Sequence, residues 1–196
     1  DLMHWIGNQT FLNAEEVRQK WAEYLRAQKN QKTSQILNFY IHIPFCRSKC
    51  SYCMYYSKPV VKKELTGYLE KLIKQINFSK KTFSGVEFSS LYIGGGTPSI
   101  LSAKQLKKVF DNLFGAFNFR KDGEKTFESN PESITLEKLT LLKKFGFNRI
   151  SFGVQTFNKK VLSSSNRDYQ NYELVKNVIK NAKKLGFEVN ADLMIG

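Results

Sequence analysis

From residue 38 onward, short apolar runs alternate with longer stretches whose apolar residues recur every three or four positions. The first run, Asn38 to Ile43, predicts a strand. Leu65, Tyr68, Leu69, Leu72, Ile73 and Ile76 then mark one helix face. Phe88 to Ile93 predicts a second strand, and Leu106, Val109, Phe110, Leu113 and Phe114 a second helix. Thr126 to Asn130, Arg149 to Gln155 and Glu188 to Ile195 complete a set of five strands. The helices between them carry Leu136, Leu139, Leu142 and Phe145, then Leu174, Val175, Val178, Ile179, Ala182 and Leu185. Ser102 and Gln105 have the spacing of a capping box. Gly146 and Gly186 stand where helix C-caps need a left-handed residue. Such alternation implies a parallel sheet covered by helices, either open or closed into a barrel.

The strands themselves have two chemically different faces, because side chains alternate across a strand. Ile150, Phe152 and Val154 oppose Ser151, Gly153 and Gln155. Val189, Ala191 and Leu193 oppose Glu188, Asn190 and Asp192. Phe127 opposes Thr126, Glu128 and Asn130, and Phe39, Ile41 and Ile43 oppose Tyr40 and His42. The apolar faces should meet the helices, and the polar faces should converge on the other side. A barrel of this kind ordinarily fills its interior with branched apolar side chains. A polar interior implies a polar ligand, since buried polar groups need partners.

Residues 1–37 lie outside the repeat and are expected to form a helical extension and linker. Asn13 and Glu16 can cap a helix running to about Gln28, with Val17, Trp21, Tyr24 and Leu25 as its apolar stripe, followed by a polar linker over 29–35. Residues 38–196 form the expected core. The chain begins at Asp1 rather than Met and ends directly after an apolar run, which reads as part of a longer protein.

Composition excludes some classes. With 41% hydrophobic and 14% aromatic residues the chain is a folding sequence, not a disordered one. No apolar run is long enough to span a membrane. The first residues lack the basic and apolar regions of a signal peptide, which points to a cytoplasmic location. The net charge of +14 invites a nucleic-acid reading. Yet 25 of the 31 basic residues are Lys, scattered over helix faces at positions such as Lys71, Lys107, Lys143 and Lys180. Solvated lysines of that kind need no partner, so nucleic acid is not expected as one.

The densest chemistry is the triplet Cys46, Cys50 and Cys53, the only cysteines in the chain, spaced C-x3-C-x2-C. Three thiolates can hold three corners of a four-iron cluster and leave one iron open. Zinc would need a fourth ligand, with His42 the nearest candidate. A redox pair formed by Cys50 and Cys53 would leave Cys46 without a role.

The run Tyr40-Ile-His-Ile-Pro-Phe-Cys46, continued by Cys50, Tyr52 and Cys53, resembles the radical S-adenosylmethionine (SAM) enzymes. More narrowly it is similar to the branch of oxygen-independent coproporphyrinogen III oxidases and heme chaperones. Gly94-Gly-Gly-Thr-Pro98, Glu128-Ser-Asn-Pro131, Ser151-Phe-Gly-Val-Gln-Thr-Phe157, Asn166-Arg167 and Asp192-Leu-Met-Ile-Gly196 match it in the same order.

The resemblance implies an α/β fold, a partial (β/α)6 TIM-type barrel truncated after its fifth strand, with an N-terminal helical extension. It implies that Cys46, Cys50 and Cys53 hold a [4Fe-4S] cluster whose open iron binds SAM. An electron from an external donor of flavodoxin or ferredoxin type would cleave SAM to a 5′-deoxyadenosyl radical. The SAM contacts it implies are Tyr40, Tyr52, Gly94, Gly95, Gly96, Thr97, Glu128, Gln155, Arg167 and Asp192. The cofactors would do the chemistry, with no further catalytic side chain expected. The implied partner is a tetrapyrrole substrate, or heme if the protein is a chaperone without oxidase activity. A radical enzyme acting on RNA is a further alternative, supported by charge alone.

Overall fold

Five parallel strands lie side by side in the order in which the chain makes them. They are β1 (Asn38–Ile43), β2 (Ser90–Gly95), β3 (Lys125–Ser129), β4 (Arg149–Gln155) and β5 (Glu188–Leu193). This is a computed structural model, and it describes residues 13–29 and 36–194. The helices are α1 (Ala14–Lys29), α2 (Lys62–Ser79), α3 (Ala103–Ala116), α4 (Leu136–Lys144), α5 (Lys159–Ser164) and α6 (Tyr172–Lys184). Sequential order means that each crossover advances the same way, so α2, α3, α4 and α6 all lie on one face and pack pairwise in turn. A doubly wound sheet reverses its strand order and puts helices on both faces. Here the second face is left as a lumen, the arrangement of a barrel wall.

Strand parity decides what enters the core. Ile41, Ile43, Leu91, Ile93, Phe127, Ile150, Phe152 and Val154 are buried beneath the helices. Phenylalanines fill much of the space: Phe110 of α3 lies 5.2 Å from Phe145 and 5.1 Å from Phe147, ring centre to ring centre. Both expected helix stops are Schellman motifs. Gly146 at φ 80° lets its own N–H reach Lys143 O and that of Phe147 reach Leu142 O. Gly186 at φ 74° repeats the arrangement after α6. The capping box at Ser102 forms with both of its bonds.

Some boundaries differ from the sequence reading. The second strand begins at Ser90, because Glu87–Phe88 turns away to pair with Asn118–Phe119. The third strand begins one residue early, at Lys125. That lysine is buried on the core side, and its ammonium group donates to Arg120 O at 2.6 Å. The helix α5 has too few residues to show a period, and the sequence reading missed it. On the fifth strand, Val189 packs on the core as expected, but Ala191 and Leu193 are exposed. The strand is the sheet edge, and among the described residues nothing covers its far half. Ile195 and the linker over 30–35 lie outside the described residues.

The helix α1 opens with its own capping box. Asn13 Oδ1 accepts from the Glu15 and Glu16 amides at 3.0 Å, and Glu16 Oε2 accepts from the Asn13 amide at 2.6 Å. Its apolar stripe is only partly covered, chiefly where the Trp21 ring meets Phe83 at 5.4 Å.

Candidate functional site

The polar strand faces converge on a cleft of about 720 Å³ at the C-terminal ends of the strands. Tyr40, Cys46, Cys50, Tyr52, Cys53, Gly95, Gly96, Thr97, Glu128, Gln155, Arg167 and Asp192 all line it. Gly94 lies just behind: a Cβ there would fall 2.7 Å from the Glu128 carboxyl carbon. The structure therefore brings together every residue singled out in the sequence for metal or cofactor binding.

The cysteine loop springs from β1. Phe45–Cys46 pairs in parallel with Lys58–Pro59, which fastens the two ends of the loop to each other. Inside it, the Cys53 amide donates to Cys50 O at 3.1 Å. All three cysteines are free and half-buried. Burial pushes the Cys46 thiol up, although Thr97 Oγ1 donates to its sulfur at 3.4 Å. Among the described residues no three His, Cys, Asp or Glu side chains converge as the ligands of one ion would. His42 is committed elsewhere: Nδ1 lies 2.9 Å from Tyr40 Oη and Nε2 2.9 Å from Tyr56 O. A carbonyl can only accept, so Nε2 carries the proton and Nδ1 accepts from the tyrosine.

The glycine run extends the β1 ladder past the strand end. The Gly96 amide donates to Ile43 O at 2.9 Å and the Thr97 amide to Phe45 O at 2.8 Å. Gly95 adopts φ 113°, a conformation open to glycine, with the His42 ring where a Cβ would stand. Its amide donates to Glu128 Oε2 at 2.9 Å, and Tyr92 Oη donates to Glu128 Oε1 at 2.6 Å.

Gln155 ends β4 at φ 67°, with the Thr156 amide donating back to Val154 O at 2.8 Å. That is a γ-turn with positive φ, a rare and strained form. Strain of this kind persists where the surroundings enforce it. The enforcer is buried Gln170, whose Nε2 donates to Val154 O at 2.5 Å and Thr156 O at 3.0 Å. Gln170 Oε1 in turn accepts from Arg167 Nη2 at 3.0 Å.

Arg167 reaches the cleft from the connection after α5. It is only 6% exposed. Nη2 also donates to Gly153 O, and Nη1 approaches Cys50 Sγ at 3.7 Å. Two guanidinium groups lie over the Tyr169 ring, that of Arg47 at 5.3 Å and that of Arg167 at 5.7 Å. Its hydroxyl accepts from Asn130 Nδ2 at 2.8 Å. Tyr92, Tyr169 and Gln170 escaped the sequence reading, because their roles come from contacts between distant segments. On β5, Asp192 accepts from Asn190 Nδ2 at 2.7 Å and from Ser151 Oγ at 3.3 Å.

Two buried polar atoms at the site lack partners: Tyr52 Oη and Arg167 Nε. Unpaired buried donors are rare in folded proteins and call for an explanation. A polar ligand in the cleft beside the cysteine loop would supply it. Three free thiols on one fastened loop are the donor type that an iron–sulfur cluster takes.

A parallel barrel wall with a three-cysteine loop after its first strand and a polar lumen is the layout of a radical SAM protein. The sequence profile of the Radical SAM superfamily matches residues 40–196, and the chain belongs to that superfamily. Membership implies a [4Fe-4S] cluster and SAM as cofactors. Over 164 residues, 82% of its length, the chain is 35% identical to the heme chaperone HemW of Buchnera aphidicola, of which it spans 43%. It is 37% identical over 163 residues to the oxygen-independent coproporphyrinogen III oxidase of Escherichia coli, spanning 35% of that protein. The structure of the Escherichia coli coproporphyrinogen III oxidase HemN superposes with a TM-score of 0.82 at 30% identity, covering all of this chain and 46% of the other. The chain thus spans less than half the length of these relatives.

Proposed function

We propose that Cys46, Cys50 and Cys53 hold the [4Fe-4S] cluster, that the polar lumen holds SAM, and that the protein acts on a tetrapyrrole. The observation that carries the reading is the arrangement of three free thiols along the mouth of a polar cleft whose buried donors lack partners. When bound, the reduced cluster and SAM together supply a 5′-deoxyadenosyl radical. The chain's own residues bind, orient and shield. Glu128, fixed by Tyr92 and Gly95, offers its remaining lone pairs to an amino or ribose hydroxyl group. Arg167 Nε offers a charged donor to a carboxylate. The glycine run lets the ligand approach the backbone closely. Tyr40, Tyr52, Thr97, Gln155 and Asp192 complete the polar lining. The barrel wall shields the reacting centre from water, as cofactor enzymes require.

The tetrapyrrole part rests on the two named relatives and on the loop following Cys53. There Met54 is 98% exposed, and Tyr55 and Tyr56 are exposed beside it. An apolar, aromatic rim of this kind suits a flat macrocycle. We read residues 38–196 as the radical SAM core and 1–37 as an extension, and we place the protein in a reducing, cytoplasmic compartment where free thiols persist. An external flavodoxin- or ferredoxin-type protein would provide the electron.

Anaerobic reconstitution of the full-length protein tests the reading. Iron and sulfide analysis should return about four of each per chain, the content of a four-iron cluster. Changing any one of the three cysteines to Ala should abolish the cluster. One bound zinc and no iron signal in electron paramagnetic resonance would overturn it. The second reading, heme delivery, shares the same rim. Porphyrinogen that raises 5′-deoxyadenosine release favours the oxidase. Heme binding with no such stimulation favours the chaperone.

A further inference from the structure

The segment that carries the three cysteines has little structure of its own. After Cys46 it makes one internal backbone turn; Lys49 Nζ donates to Tyr55 O and Ser57 O, Arg47 pairs with Glu132, and further restraint comes from a connection more than a hundred residues away in sequence. Ser48 Oγ donates to Asn166 O at 3.3 Å, and Ser51 Oγ donates to Ser164 O at 3.1 Å. Asn166 Nδ2 donates to Lys49 O at 3.1 Å. Asn166 therefore offers an acceptor to one residue of the cysteine loop and a donor to the next, both between Cys46 and Cys50. It does so from a left-handed backbone at φ 58°, a conformation asparagine tolerates better than other residues with a side chain. The residue is exposed, so burial does not account for its place. Its neighbour Arg167 is the residue that reaches Cys50.

We propose that Asn166 is a positioning residue that organises the cysteine loop before any iron arrives. Its carbonyl and its side-chain amide fasten residues 48–49 and couple that loop to the segment presenting Arg167. The inference rests on the reading of Cys46, Cys50 and Cys53 as cluster ligands. Iron can then bind a loop already ordered, so less of the binding free energy goes into ordering it.

The test separates side chain from backbone. Asn166→Asp and Asn166→Gly both keep the left-handed conformation, but neither can donate to Lys49 O. Hydrogen–deuterium exchange on the iron-free full-length protein should show amides 47–53 exchanging about fivefold faster in both variants, the factor one net hydrogen bond carries. The five strands should exchange as in the unaltered protein. After reconstitution, a chelator should bleach the cluster of both variants faster by a similar factor. If both variants match the unaltered protein and only Asn166→Ala differs, the backbone conformation alone matters and the inference is overturned. Iron uptake by the unaltered protein is a separate readout. Its absence sinks the cluster reading, whereas the exchange data judge the role of Asn166 with no iron present.

Discussion

Tyr92 Oη donates to Glu128 Oε1 at 2.6 Å on the lumen face of two adjacent strands, while the Gly95 amide holds Oε2 at 2.9 Å. Both oxygens of the carboxylate are therefore fixed before any ligand arrives. Preorganisation of this kind raises affinity by removing the cost of ordering a side chain on binding. Tyr92→Phe should weaken SAM binding by about threefold to tenfold, the range of one ordinary net hydrogen bond. Iron content should not change. Isothermal titration of the reconstituted protein reads the effect, and an unchanged affinity would show that Glu128 is not the contact.

The same phenol predicts a response to alkali. Burial raises the Tyr92 pKa above its ordinary 10.0, with Glu128, which accepts its hydrogen bond, as the next cause. A phenol whose folded pKa lies above the unfolded value contributes stability that is fully present below pH 10.0 and is lost as the pH rises towards the folded value. Urea unfolding of the iron-free protein at about pH 8 and about pH 11 should show a smaller drop for Tyr92→Phe than for the unaltered protein. An equal drop would assign the alkaline loss to other groups.

How much of this was legible in sequence follows from what each feature depends on. The five strands and four long helices depend on local period, and Ile150, Phe152 and Val154 lie on the helix side as parity requires. The three cysteines stand out because their spacing is chemistry written locally, whereas Glu128 was put forward by the family resemblance and by its place on the polar strand face. Arg167 was placed in the cleft, but its grip on Gly153 and Gln170 was not foreseen. Neither was the γ-turn at Gln155, since φ is not encoded by a residue type that usually avoids the left-handed region. Ala191 and Leu193 failed the parity rule for another reason: an apolar face is buried only where a second layer covers it, and parity says nothing of that layer.

Arg167 supplies the donors that part-buried Gly153 O and buried Gln170 Oε1 use. Arg167→Ala takes the donor from both acceptors, of which Gln170 Oε1 is buried. The iron-free protein should lose about 1–3 kcal/mol, the cost of one buried unsatisfied group. Arg167→Lys should recover only part, because an ammonium group cannot reproduce a planar fork that serves several acceptors. Urea denaturation measures both. A loss below about 0.5 kcal/mol for Arg167→Ala, the range of ordinary surface substitutions, would show that water replaces the guanidinium.

The glycine run yields a prediction of order. A Cβ at Gly96 would stand 2.8 Å from Phe45 O and 2.9 Å from Phe45 N. Both are backbone atoms of the ladder that carries Cys46, and neither can rotate away. At Gly94 the obstacles are Glu128 Cδ and Tyr92 Cε1, both at 2.7 Å, and both belong to side chains that can give way at the cost of the hydrogen bonds that hold Glu128. Gly96→Ala should therefore cost on the order of 3 kcal/mol of stability, in the range of strained or overpacked sites. Gly94→Ala should cost about 1 kcal/mol, the centre of the range for single substitutions. Their effects on binding should run the other way in kind. Gly94→Ala displaces Glu128 and should weaken SAM binding while leaving iron content intact. Gly96→Ala pushes on the base of the cysteine loop and should lower iron content itself. Thermal melting with iron analysis of the two reconstituted variants checks the pair. If Gly94→Ala proves the less stable or loses iron first, the division between a SAM-facing and a cluster-facing glycine is wrong.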